Sequence, residues 1–293
     1  NLALVCDKLL EFDPIRGLLQ LADHRASAKE DKEFVPILSS FYYQFPFADK
    51  RGVQKLVEEN WNNDILLVRA PTGAGKTDAS LLWASRQIAA HKADRLVIAM
   101  PTRFTANALS VNVAVTLSDT GLYHSSAWYS KYSEAKNGEL DMTEALAQHK
   151  MAKILATPIT VCTIDHLLMS LTFTQESHHL ICSNLANSCV VIDEADFYDD
   201  FTLANILFLL KVLHNWKVPI MIMSASLPES ALQLYRKAGF NIESILEDKE
   251  SDSYNKCFNI KKLIEYDDIQ DINYLLEYCI ERGNAIIYLN TVD

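Results

Sequence analysis

The chain has 293 residues, beyond one average domain, so two units or one large α/β unit with attachments are expected. Hydrophobic residues at 49%, charged at 22% and aromatic at 10% exclude a disordered tail, a collagen-like chain and a disulfide miniprotein. With 27 Lys+Arg against 38 Asp+Glu the net charge is −11, so the chain is not basic all over and any nucleic-acid site must be local.

In chain order, residues 1–40 are predicted helical, with Leu18, Leu19, Ala22, Arg25 and Ala26 at helical spacing around Asp23 and His24. Residues 39–47, with Pro36 and Pro46 nearby, break that pattern into an aromatic-rich connector. Short apolar strands are then predicted at 65–69, 96–100, 154–156, 190–193 and 220–223, alternating with longer segments of helical period that include 78–91 and 105–117. Such alternation argues a parallel sheet covered by helices on both faces. Beyond Pro228 the chain turns acidic and polar. Strand-like 258–264, helical 272–281 and strand-like 285–289 then read as the opening of a second, incomplete α/β unit. The expected division is therefore 1–40, 41–235 and 236–293.

Acidity is concentrated rather than spread. Residues 193–200 hold five carboxylates and no base, and residues 247–282 hold ten acids against five bases, so each segment contributes −5 of the −11. The remainder is close to neutral. Cys6, Cys162, Cys182, Cys189, Cys257 and Cys279 show no CxxC spacing and suit reduced thiols in a cytoplasm. The most apolar stretch, 203–213, contains Asn205 and Lys211 and falls far below the ~20 residues of a membrane span, so no membrane passage is expected. The first segment lacks a basic n-region and a cleavage signature, which gives no sign of a secretory signal, and both ends read as cut from something longer.

The predicted strand 65–69 runs into Ala70-Pro71-Thr72-Gly73-Ala74-Gly75-Lys76-Thr77, and a helical pattern follows at once. Glycines 73 and 75 let the backbone curl so that successive N–H groups aim at phosphate oxygens, and the helix N-terminus adds its positive end. Lys76 would then reach the β- and γ-phosphates of a bound nucleotide while the Thr77 hydroxyl would hold Mg²⁺. A second carboxylate-bearing strand end is needed, and Val190-Val191-Ile192-Asp193-Glu194-Ala195-Asp196 supplies it. There Asp193 orients Mg²⁺ and Glu194 polarises the attacking water. Asp199 and Asp200 are better read as a solvated face. His178-His179 lies in a polar segment and reads as a surface loop rather than a metal pair.

Together these runs resemble a superfamily 2 helicase, which implies a RecA-like P-loop fold with ATP bound between two such domains. Pro101-Thr102-Arg103 resembles the motif that holds the nucleic-acid backbone. Ser224-Ala225-Ser226 resembles the Ser-Ala-Thr motif that couples ATP state to strand binding, with Ser226 in place of threonine. Gln54, 22 residues before Lys76, is similar to the glutamine that reads adenine. A finer resemblance is to the helicase-nuclease of type I CRISPR systems. Residues 21–27, Leu-Ala-Asp-His-Arg-Ala-Ser, are similar to the end of its metal-dependent HD nuclease domain, whose last aspartate corresponds to Asp23. Thr163-Ile164-Asp165-His166 is similar to its Gly-Thr-Ile-Asp-Gln segment, Met223 to Pro228 to its Leu-Ser-Ala-Thr-Leu-Pro, and Leu289-Asn290-Thr291-Val292 to its entry into the second motor domain.

The resemblance implies an ATP-driven helicase or translocase on single-stranded DNA in antiviral defence, with backbone contacts from Pro101, Thr102, Arg103 and Thr163. It also implies a CRISPR RNA-guided surveillance complex as partner, and a divalent transition metal only where an HD domain precedes residue 1. Because the arginine finger of such motors comes from the second domain, this chain alone is expected to bind ATP·Mg²⁺ and hydrolyse it slowly. Asp196 departs from the family, which commonly has histidine there, and leaves an RNA-directed DEAD-box enzyme open. A non-motor ATP-dependent nucleic-acid-binding module is the other alternative.

Overall fold

The computed structural model describes residues 2–27, 40–116, 120–129, 142–195 and 198–250, together with Glu277 and Ile280. Asp196, Cys257, Cys279, Leu289 to Val292 and, apart from Glu277 and Ile280, the elements expected at 258–289 lie outside the described residues, as do Pro36 and Ser39. Two compact units are formed, residues 1–255 and 256–293.

The sheet of the first unit contains β1 (Ile65–Arg69), β2 (Arg95–Met100), β3 (Thr120–Tyr123), β4 (Ile159–Thr163), β5 (Ser188–Ile192), β6 (Ile220–Ser224) and β7 (Leu246–Glu247). The order is β3-β4-β2-β5-β6-β1-β7, and every described pairing is parallel. This is the RecA-like α/β architecture expected. The central strands β1, β2, β5 and β6 are largely apolar runs because both faces are covered. Ile65 and Leu67 enter one core, Leu66 and Val68 the other, and β2 divides the same way through Val97 and Ala99 against Leu96 and Ile98.

On the first face lie α1 (Leu2–Ser27), α6 (Ile164–Ser170), α7 (Ser177–Ala186), α8 (Asp200–Asn215) and α9 (Glu229–Lys237). On the second lie α2 (Gly52–Glu59), α3 (Lys76–Ala89) and α4 (Arg103–Thr116), while α5 (Met142–Lys153) packs along β3. Cys6, Cys162, Cys182 and Cys189 are buried, free thiols. Burial pushes the Cys162 thiol up to about 12, which makes it unreactive. Among the described residues no helix is long and apolar enough to cross a membrane.

Two expectations need correction. The strand expected at 154–156 is absent, because α5 runs to Lys153 and a turn follows in which Leu155 has φ +56°. The β-branched run after Pro158 forms β4 instead, pairing with β2 and β3. The first unit also extends past residue 235: Phe240 and Ile242 are buried in its core, and Leu246 pairs with Val68. The first helix forms as α1, and the apolar residues that flagged it are not its buried face. Leu18 and Leu19 are 59% and 66% exposed, whereas Cys6, Asp13 and Gly17 are buried. Gly17 is required by close approach, since a Cβ there would sit 2.7 Å from Leu180 Cγ on α7. The Trp216 indole after α8 donates to the Cys6 carbonyl at 3.1 Å and fixes the other end.

Candidate functional site

Between β1 and α3 the chain turns through Gly73 at φ +82° and Gly75 at φ +92°, values that favour glycine. A Cβ added at Gly73 would meet nothing within 4 Å, so the loop opens onto free space there, while one at Gly75 would sit 2.5 Å from Gln54 Nε2. The loop is held from within the chain. Lys76 Nζ donates to the Ala70 carbonyl at 3.4 Å, Gln54 Nε2 to the Gly75 carbonyl at 3.4 Å, and the Arg51 guanidinium to the Gly73 carbonyl. Gln54, only 1% exposed, also accepts from the Arg51 amide at 2.8 Å through Oε1, which caps α2. Ala74 is buried, and Thr72 and Thr77 flank the turn at exposed and half-buried positions. Just beyond, the Tyr43 hydroxyl donates to Asp78 Oδ1 at 2.6 Å, and burial together with that carboxylate raises the phenol pKa.

The acidic run follows β5. The Asp193 amide donates to the Ala99 carbonyl at 3.0 Å and the Ala195 amide to the Met223 carbonyl at 3.1 Å, so the run is stitched to the ends of β2 and β6. Asp193 is 6% exposed, and its Oδ1 accepts from the Glu194 amide at 2.9 Å. Glu194 adopts φ +53°. The other described non-glycine residues at positive φ, His91, Leu155, Phe173 and Lys217, follow helix ends, where left-handed residues are common. Glu194 follows a strand, and a strained conformation held there is the kind that marks a functional position. Its Oε1 lies 3.8 Å from Lys76 Nζ, which brings the loop and the acidic run together. Ser224 ends β6 between them: the Ala70 amide donates to the Ser224 carbonyl and the Ser226 amide to Ser224 Oγ, each at 3.2 Å.

Curled amides beside open space, one ammonium, one hydroxyl and a buried carboxylate fit a triphosphate with Mg²⁺. Thr77 and Asp193 are the residues that would hold the metal.

Further along the same sheet edge, Pro101, Thr102, Arg103 and Thr163 all line one cavity of about 520 Å³. Thr102 caps α4, accepting from the Thr105 amide at 3.2 Å, and Arg103 donates to Ser125 Oγ at 3.3 Å. The cavity also takes residues the sequence did not suggest, Tyr123, His124, Lys153 and His178 among them. His178 and His179 are not on a surface loop: both are buried on α7, and His179 Nδ1 lies 2.8 Å from Asp13 Oδ1 of α1. Burial raises the Asp13 pKa, against the lowering effect of that histidine. Asp23 is exposed near the end of α1, and among the described residues no three His, Cys, Asp or Glu side chains gather as metal ligands.

The family model for DEAD/DEAH box helicases matches residues 51–234, which span the phosphate loop, the acidic run and the Ser224 motif. The chain belongs to the DEAD/DEAH box helicase family. It is 27% identical over 248 residues to a Methanocaldococcus jannaschii protein bearing the name CRISPR-associated nuclease/helicase Cas3, covering 80% of this chain and 33% of that one. It is 29% identical over 227 residues to the CRISPR-associated endonuclease/helicase Cas3 of Thermus thermophilus, covering 70% and 24%. The crystal structure of T. fusca Cas3 with ADP superposes with a TM-score of 0.56 at 26% identity, covering 66% of this chain and 23% of that one. The chain thus spans a third or less of the relatives it matches, and what it shares with them is a helicase domain.

Proposed function

We propose that this chain is the ATP-binding motor core of a helicase or translocase that works on single-stranded DNA in CRISPR-based defence. The observation that carries the reading is the approach of Lys76 to Glu194 at 3.8 Å across a glycine loop, with buried Asp193 beside it. In this reading the loop amides of 73–77 and Lys76 hold the phosphates, and Gln54 reads adenine with the amide hydrogen that its bond to Gly75 leaves over. Thr77 and Asp193 would hold Mg²⁺, which when bound would neutralise phosphate charge. Glu194 takes a proton from the attacking water, and its fixed left-handed backbone keeps the carboxylate facing the loop. Ser224, bonded to Ala70, and Ser226 transmit loop position to β6 and its neighbours.

Pro101, Thr102, Arg103 and Thr163 hold the strand by its backbone, which positions it without reading sequence. The choice of DNA and of an RNA-guided surveillance complex as partner rests on the resemblance to the CRISPR helicase-nucleases. Asp196 favours RNA instead, and a comparison of single-stranded DNA with RNA in anisotropy titrations separates the two. Where an HD domain precedes residue 1, Asp23 is the candidate ligand for its transition metal. Calorimetry tests the core claim: ATP·Mg²⁺ binds the wild type, and Lys76→Ala weakens binding about 100-fold, from loss of a charge-assisted contact. Equal binding by the variant would overturn the reading.

A further inference from the structure

We propose that the cavity beside Pro101, Thr102 and Arg103 receives one unstacked nucleobase of the single strand those residues hold. The inference rests on the strand-binding reading above. At about 520 Å³ the cavity lies within the roughly 300–1,000 Å³ range of small-ligand sites, ample for one nucleotide.

Its lining divides as a nucleotide divides. Tyr123 and His166 form an aromatic wall with ring centroids 4.1 Å apart, continued by Met169 and Ile181. His166 donates from Nε2 to the Lys153 carbonyl at 2.8 Å, and burial lowers its pKa to about 4, so this wall is uncharged at neutral pH. The cations of the lining are Arg103, which is exposed, and Lys153. A neutral aromatic wall suits a planar base, which stacks whatever its identity, and the cations suit the phosphate attached to it.

His178 supplies the independent observation. It lines the cavity at 4% exposure, and its Nδ1 has no hydrogen-bond partner among the described residues. Buried polar atoms are seldom left unpaired, and a small rotation of this lining ring would offer Nδ1 to the hydrogen-bonding edge of an occupant. A base has such an edge, whereas an apolar ligand has none. Because the backbone-holding residues and the aromatic wall share one cavity, a base turned inward belongs to the strand those residues hold rather than to a separate ligand.

Anisotropy titration of the full chain with two dye-labelled 12-mers, oligothymidine and an all-abasic strand of equal length, tests this at a fixed salt concentration. The wild type should bind the thymidine strand about tenfold tighter. Ser177→Trp, which fills the cavity from the first residue of α7, should cut that preference below twofold and leave abasic binding unchanged. His178→Phe, which keeps the ring but removes the unpaired nitrogen, should reduce the preference about threefold. Retained abasic binding shows in each case that the variant is folded. Equal wild-type affinity for the two strands would overturn the inference and leave the strand-binding reading intact, as would a loss for Ser177→Trp that falls equally on both. Absence of binding to either strand would overturn both.

Discussion

At the ends of β1, β6 and β5 the chain keeps its chemistry in short contiguous runs, 70–77, 193–194 and 224–226, locked together by main-chain hydrogen bonds. At the ends of β2, β3 and β4 the cavity is assembled from segments far apart in sequence, and a wall of neutral rings stands beside Arg103, Lys153 and Asp165. The first half is rigid and electrostatic, as a site for a triphosphate must be, and leaves its ligand little choice of pose. The second half, in the proposed reading, would hold a strand by its backbone and offers aromatic surface beside it, which suits a ligand that has to move.

If the two halves divide the work in this way, changes in one should leave the other's ligand alone. Glu194→Gln should give the largest effect: a fall of about 10² to 10⁴ in single-turnover ATP hydrolysis, the usual worth of a general base. ATP affinity should hold or rise, because Lys76 loses the carboxylate 3.8 Å away that competes with phosphate. A parallel loss of ATP affinity would assign Glu194 to binding instead.

Acid should attack the second half first. The His166 pKa falls from about 6.5 to about 4 on folding, so between those values the unfolded chain takes a proton that the folded chain refuses. Stability therefore drops as pH falls from 6.5 to 4, by up to about 3 kcal/mol for this group. Burial lowers the pKa of His124, His149 and His178 as well, and they add in the same direction. Thermal melts across that window should show the loss, and His166→Phe should flatten it. The smallest effect is expected from Arg103→Ala, about tenfold weaker single-strand binding with the salt slope reduced by about one. ATP affinity measured by calorimetry should not change, and a change would show that the halves are not separable.

The contrast also explains what the sequence discloses. The phosphate loop and acidic run are legible because glycine freedom, an ammonium and paired carboxylates act only when adjacent along the chain, and β1 and β5 are apolar enough to be read as strands. The cavity is not legible. β3 is four residues long and includes Thr120 and Gly121, too polar and too short to stand out. Arg51 carries no local signal, since its target is the Gly73 carbonyl 22 residues on. His178 and His179 read as a loop because their partners are remote in sequence: His179 packs on Asp13, 166 residues away, on a helix whose most apolar side faces outward, and His178 lines the cavity.

Helix α7 presents consecutive histidines to two different neighbours. His178 walls the strand cavity, and His179, one residue on, is clamped to Asp13 of α1, with Gly17 and Leu180 in tight contact beside it. A displacement of α1 would therefore bear directly on α7, the helix that carries a cavity-lining side chain.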